Sequence, residues 1–244
     1  MPEISIKSET LFSIGSFAVK NSLLLSLLVF FILLVTGFFY YKESNKEAKS
    51  GLFYIIHMIL RSLYDLFYSI VHEKIDVFFP LLSALFIWIL VQNWSGLLPG
   101  VGSVWVGIHS GTELKHIPLL RGNNADLSAT LALALISMTM VQVYGIRFLG
   151  LGAYLHKFIN VNSPIDFFVG ILDIVSEFSK ILSFAFRLFG NIFAGEVLMT
   201  IVAFLIPVLA SFPFLILEIF VGFVQALVFS MLTSVLFNMA VSKH

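Results

Sequence analysis

The chain has 244 residues, of which 59% are hydrophobic and only 11% charged, far from the balance of a soluble domain. A formal net charge of zero, with no basic stripe, excludes the electrostatic footprint of a nucleic-acid binder. The absence of cysteine excludes disulfides, iron–sulfur clusters and thiolate metal sites.

This composition implies an all-α polytopic membrane protein. Residues 1–20 are polar and mixed in charge, lack the pattern of a signal peptide, and read as a short outer segment. Ser22 to Tyr41 is uncharged for 20 residues, about 30 Å of helix, which matches the hydrocarbon core and predicts a first span over 21–41. YKESNKEAKSG, ending at Gly51, is a soluble linker. The stretch 51–72 has helical apolar spacing but carries His57, Arg61 and Asp65 four residues apart on one face, so it predicts an amphipathic helix along the membrane surface. That triplet is the ordinary pattern of a solvated, ion-paired face and is not read as a site.

Val77 to Leu98 is uncharged and ends in GLLPG, predicting a span over 77–98 with Trp94 as an interfacial anchor. The loop that follows holds His109, Glu113, Lys115, His116 and Arg121, whose spacing matches no zinc motif, so no metal or cofactor is expected. The next span, 127–147, carries small and hydroxyl residues (Ser128, Ala129, Thr130, Ala132, Ala134, Ser137, Thr139) suited to close helix packing, with Asp126 before it as an N-cap. Arg147, His156 and Lys157 mark a basic loop. Asn162-Ser163-Pro164 then signals a helix start, and no breaker appears until Pro207. A helix over 164–206 would be about 60 Å long and one over 213–241 about 43 Å, both too long to stand upright in a bilayer. The expectation is five membrane-crossing helices plus one surface helix, the last two a long, steeply tilted hairpin.

Within 164–206, Arg187 is the only ionisable residue between Ile181 and Ala194. An arginine at membrane depth costs from about 2.5 to more than 10 kcal/mol unless it meets a partner or a water-filled cavity. On an ideal helix Asn191, Lys180, Ser176 and Asp173 fall within about 40° of it, forming a polar stripe. Glu196 lies about 180° away and about 13 Å along the axis, so it faces a second polar environment. Glu218 and Gln225, seven residues apart, share a face of the last helix, where Gln225 can also act as a simple interhelical bond. Glu196 and Glu218 read as two buried carboxylates without a nearby cation. Lysine and arginine counts put Lys42, Lys46, Lys49, Arg61, Lys74, Arg147, Lys157 and Lys243 on one side and Lys7, Lys20, Lys115 and Arg121 on the other, predicting an outer N-terminus and a cytoplasmic C-terminus.

At RLFGNIFAGE the chain resembles subunit a of F-type ATP synthase, and the likeness extends to SEFSK, FVQALVF, NWSGLLPG and ADLSATLALALI, while residues 1–70 match in layout only. The resemblance implies a non-catalytic stator subunit in a cell inner membrane, partnered by a ring of c subunits, peripheral-stalk b subunits and the rest of the complex. It implies that Arg187 is the essential gate facing the ring, with Asn191 and Gln225 beside it. Glu196 and Glu218 would form the outer proton relay, with Asp126 near its mouth, although some relatives place a histidine where Glu218 stands. Asp173, Ser176, Glu177 and Ser179 would line the inner half-channel. A guanidinium keeps its proton, so it attracts a carboxylate without passing the proton on.

A self-contained ion-coupled transporter, with Arg187 binding an anionic substrate, is the alternative; it would carry an inverted repeat and a broken midplane helix, and neither is visible. A structural scaffold would have no use for Arg187, Glu196 and Glu218 inside helices. No nucleotide-binding loop is present, so ATP chemistry would belong to partners.

Overall fold

The computed structural model describes residues 8–15, 17–110, 113–152, 154, 164–205 and 211–241. Among the described residues six long helices carry the fold: α1 (Asn21–Ser44), α2 (Gly51–Val71), α3 (Ile75–Ser95), α4 (Leu127–Leu149), α5 (Pro164–Leu205) and α6 (Ser211–Val241). All six are long and apolar enough to cross a membrane, and α2 is the least apolar of them. The chain is an all-α polytopic membrane protein.

The terminal signals act locally. Ser50 caps α2 by accepting from Phe53 N at 3.3 Å. Gly150, at φ +84°, ends α4 in the left-handed region that glycine adopts without cost. α5 runs unbroken for 42 residues and α6 for 31, the latter starting two residues before the expected Pro213. Asn162, Ser163 and Pro207, read as the punctuation of these helices, lie outside the described residues, as do His156, Lys157 and Lys243.

Two small antiparallel hairpins occupy the expected outer segment and the loop before Asp126: β1 (Thr10–Ile14) with β2 (Phe17–Lys20), and β3 (Trp105–Ser110) with β4 (Glu113–Pro118). Outside the helices a backbone still has to satisfy its N–H and C=O groups, and strand pairing does so over a short stretch.

The core gathers α3, α4, α5 and α6, with Leu63, Phe67 and Val71 of α2 packed into it. Phe78 stacks on Phe237 at 4.7 Å between centroids and meets Tyr144 edge-on at 5.1 Å, while Phe184 meets Phe229 edge-on at 5.0 Å. Lipid tails are as apolar as these rings, so close packing rather than dehydration holds the helices together. Small buried residues recur every four positions on α6 (Gly222, Ala226, Ser230, Ser234) and allow that approach. Of the small residues noted on α4, Thr130, Ala134 and Ser137 are buried, whereas Ser128, Ala132 and Thr139 are exposed.

On α2, His57 Nδ1 meets the Tyr40 hydroxyl at 3.0 Å, and no ion pair joins Arg61 to Asp65 among the described residues. The expected ion-paired face is thus a row of separate polar groups. At the far end Asn238 Nδ2 donates to Ile70 O at 3.0 Å and Lys74 Nζ to Val241 O at 3.0 Å, tying α2 and its turn to the end of α6.

Candidate functional site: polar groups along the long helix

α5 presents its polar groups on separate faces. Arg187 is exposed on the side the chain's own helices leave uncovered, its Nη2 3.5 Å from Ser183 Oγ one turn back. Ser176 and Ser179 are exposed as well, and Asp173 is half-buried. Ser179 Oγ is turned to its own helix, donating to Val175 O at 2.9 Å.

One turn beyond Arg187, Asn191 Nδ2 donates to Gln225 Oε1 on α6 at 2.8 Å, so Gln225 does bond a neighbouring helix, and the bond runs to the stripe that carries the arginine. Asn93 Nδ2 and Trp94 Nε1 of α3 reach the carbonyls of Gly222 and Ile219 at 2.9 and 3.0 Å. These bonds hold α6 from its other side. The Gln92 amide, 1% exposed, finds no hydrogen-bond partner among the described residues.

Of the two carboxylates expected to form the outer relay, Glu196 lies on α5, and Glu218 reaches across from α6 to the same turn of α5. Glu218 is 7% exposed, and its carboxylate rests against Gly195: a Cβ there would overlap it. Glycine is required at 195 for this seat, and Glu196 is the next residue. Glu218 makes no hydrogen bond or ion pair among the described residues.

The expectation that Glu196 and Glu218 have no nearby cation is corrected by Arg121. Its buried side chain brings Nη2 to 3.4 Å from Glu196 Oε2. Arg121 was read as part of a loop and as one of the positive charges on the outer side. Its single visible signal was its place five residues before Asp126, and nothing local points from there to residue 196.

Asp126 is engaged elsewhere. Its Oδ1 accepts from Ser128 N at 2.9 Å as the N-cap of α4, while its Oδ2 accepts from the Ser8 hydroxyl and lies 3.6 Å from Lys20 Nζ. Burial alone would raise its proton affinity, but the Ser8 and Ser128 hydrogen bonds and the Lys20 charge outweigh it and hold the carboxyl below its ordinary value. Fully buried Asn21 adds a second tie, donating to Pro118 O at 3.2 Å and accepting from Glu9 N at 3.2 Å.

Toward the start of α5, Glu177 turns from Ser176 and Ser179 into the bundle. Its Oε2 accepts from Gln142 Nε2 of α4 at 3.0 Å and its Oε1 from Lys180 Nζ at 2.8 Å.

Residues 23–238 match the family model described as ATP synthase A chain. The chain belongs to the ATP synthase A chain family. It is 33% identical over 183 residues to ATP synthase subunit a of Moorella thermoacetica, covering 75% of this chain and 73% of that one. It is 35% identical over 192 residues to the subunit a of Gloeobacter violaceus, covering 76% and 71%. Against the chloroplastic subunit a of Stigeoclonium helveticum it is 31% identical over 244 residues, covering 99% and 93%. As a member of the ATP synthase A chain family it is a multi-pass membrane component of the F-type ATP synthase.

Proposed function

We propose that this chain supplies the stationary half of the synthase's proton path: two offset aqueous half-channels that meet only at a rotating ring of c subunits, with Arg187 as the gate between them. The observation that carries the reading is the disposition of charge on α5. Arg187 is on a face uncovered within the chain, whereas Glu196 and Glu218 are turned into the bundle. A cation on a membrane-embedded surface requires an anionic partner, and a ring of carboxylates provides one.

In this reading the C-terminus is cytoplasmic and the N-terminus outer, α2 lies along the membrane surface, and α5 and α6 cross at a steep tilt because their lengths exceed the hydrocarbon core. Glu196 and Glu218 relay protons in the outer half-channel, assisted by Asn191 and Gln225. Asp173, Ser176, Glu177 and Ser179 line the inner one. Asp126 anchors the outer mouth by joining the N-terminal hairpin to α4. The c-ring and peripheral-stalk b subunits are the neighbours, and an ion entering one half-channel rides the ring to reach the other. Flow and rotation are coupled by that detour.

Arg187→Ala tests the reading. ATP-driven acidification of inverted vesicles is expected to be lost while the complex remains assembled, and Arg187→Lys should recover little, since a compact ammonium sheds its proton when desolvated. Normal pumping by the alanine variant would remove the gate.

A further inference from the structure

Tyr154 lies beyond the end of α4, yet its side chain is only 6% exposed. The positive φ of Gly150 and a 3.0 Å bond from Tyr154 N to Gly150 O make the turn that brings it back along the helix. Its ring then occupies the space above Gly145, where a Cβ would stand 2.6 Å from Cε2. From that seat the hydroxyl donates to Gln142 Oε1.

The Gln142 amide, its oxygen engaged, presents Nε2 to Glu177 Oε2 at 3.0 Å, and Lys180 Nζ holds the other oxygen at 2.8 Å. Tyr154, Gln142, Glu177 and Lys180 border a cavity of about 30 Å³, closed on the α6 side by Leu236, Met239 and Ala240. That is room for one or two water molecules at about 10–15 Å³ each. Burial, reinforced by the negative charge of Glu177, pushes the Tyr154 hydroxyl up to about 12, so it is a standing donor.

We propose that Tyr154 is a positioning residue for proton transfer at Glu177: by occupying the Gln142 carbonyl it fixes which end of that amide faces the carboxylate beside the cavity. This rests on the reading of Glu177 as part of the inner half-channel. The two ends of a glutamine amide are nearly isosteric but opposite in hydrogen-bonding sense. Without the hydroxyl, Gln142 is free to turn its oxygen toward Glu177, an arrangement two acceptors tolerate only with a proton between them. Loss of the hydroxyl therefore alters when the site takes up a proton. The groups facing Glu177 are Lys180 on its own helix and Gln142 and Tyr154 from the α4 side; α6 contributes apolar side chains, and Asp173 lies one turn earlier on α5.

Tyr154→Phe keeps the ring over Gly145 and removes only the hydroxyl. In inverted vesicles carrying the complete complex the bath is the inner side, so ATP-driven acidification, normalised to uncoupled ATP hydrolysis, is followed against bath pH. The half-maximal point is expected to move toward alkaline pH by about one unit, the size of losing one bond to a charged group. Gln142→Leu should give the same shift, and the double variant no more than either alone. A parental profile in Tyr154→Phe and Gln142→Leu, or shifts that add, would overturn the assignment. Glu177→Gln separates the two levels: normal pumping there rejects the inner-channel reading of Glu177, whereas lost pumping there with a parental Tyr154→Phe profile rejects only the role of Tyr154.

Discussion

At Glu177 the carboxylate on α5 accepts from Gln142 and Lys180, one donor to each oxygen and both within 3.0 Å. Nineteen residues along the same helix, Glu196 is approached by Arg121 at 3.4 Å, and Glu218 beside it is seated on a bare glycine with no hydrogen bond or ion pair among the described residues. The difference separates two settings of a half-buried or buried acid. A carboxylate with both oxygens claimed has one orientation, and its behaviour is set by whatever holds the donors in place. One with unclaimed oxygens can exchange partners with water, which a relay requires. The seat at Gly195 and the reach of Arg121 keep the second pair close without saturating it.

Substitutions at four positions break or sharpen this contrast. Glu196→Gln has the largest expected effect: positioned proton-transfer groups carry about 10²–10⁴ in rate, so ATP-driven acidification should fall about tenfold or more with assembly intact. Wild-type pumping in that variant would show that Glu196 carries no protons. Gly195→Val comes next, because its side chain claims the space of the Glu218 carboxylate. Overpacking of this kind costs about 1–3 kcal/mol, and pumping should fall several-fold; an unchanged rate would mean that Glu218 has no need of its seat.

Arg121→Gln should lower pumping less than either, since it loosens Glu196 without removing it, and Arg121→Lys should retain part of the rate. A loss as deep as that of Glu196→Gln would move Arg121 from a supporting role into the relay itself. The smallest effect belongs to Asp126→Asn, measured as thermal stability in detergent. Asparagine still caps α4, so what is lost is the charge facing Lys20 and the Ser8 hydroxyl, about 1 kcal/mol or less, and pumping should persist. Folding lowers the proton affinity of Asp126, so its stabilisation is complete at neutral pH and lost as pH falls from the ordinary carboxylate range through its lowered value. The variant should lack that acid sensitivity. A collapse of pumping with stability unaltered would instead make Asp126 a carrier.

By itself the sequence determined the helices and much of their polarity, because both are local properties. Uncharged runs of about 20 residues specify spans, and the unbroken stretch after Pro164 specified one helix of 42 residues. The 3.6-residue period put Arg187 and Glu196 on opposite sides of it before any packing was considered. Tertiary structure alone decided what each polar group meets. Arg121 and Glu196 are 75 residues apart, and their pairing depends on how the loop ending at Asp126 folds over α5. Gly195 reads as one more small residue until α6 lays Glu218 across it. Tyr154 and Gln142, 12 residues apart, meet only because the chain doubles back after Gly150. Periodicity fixes the direction of a side chain on its own helix, but the partner in that direction is supplied by elements whose placement the period does not contain.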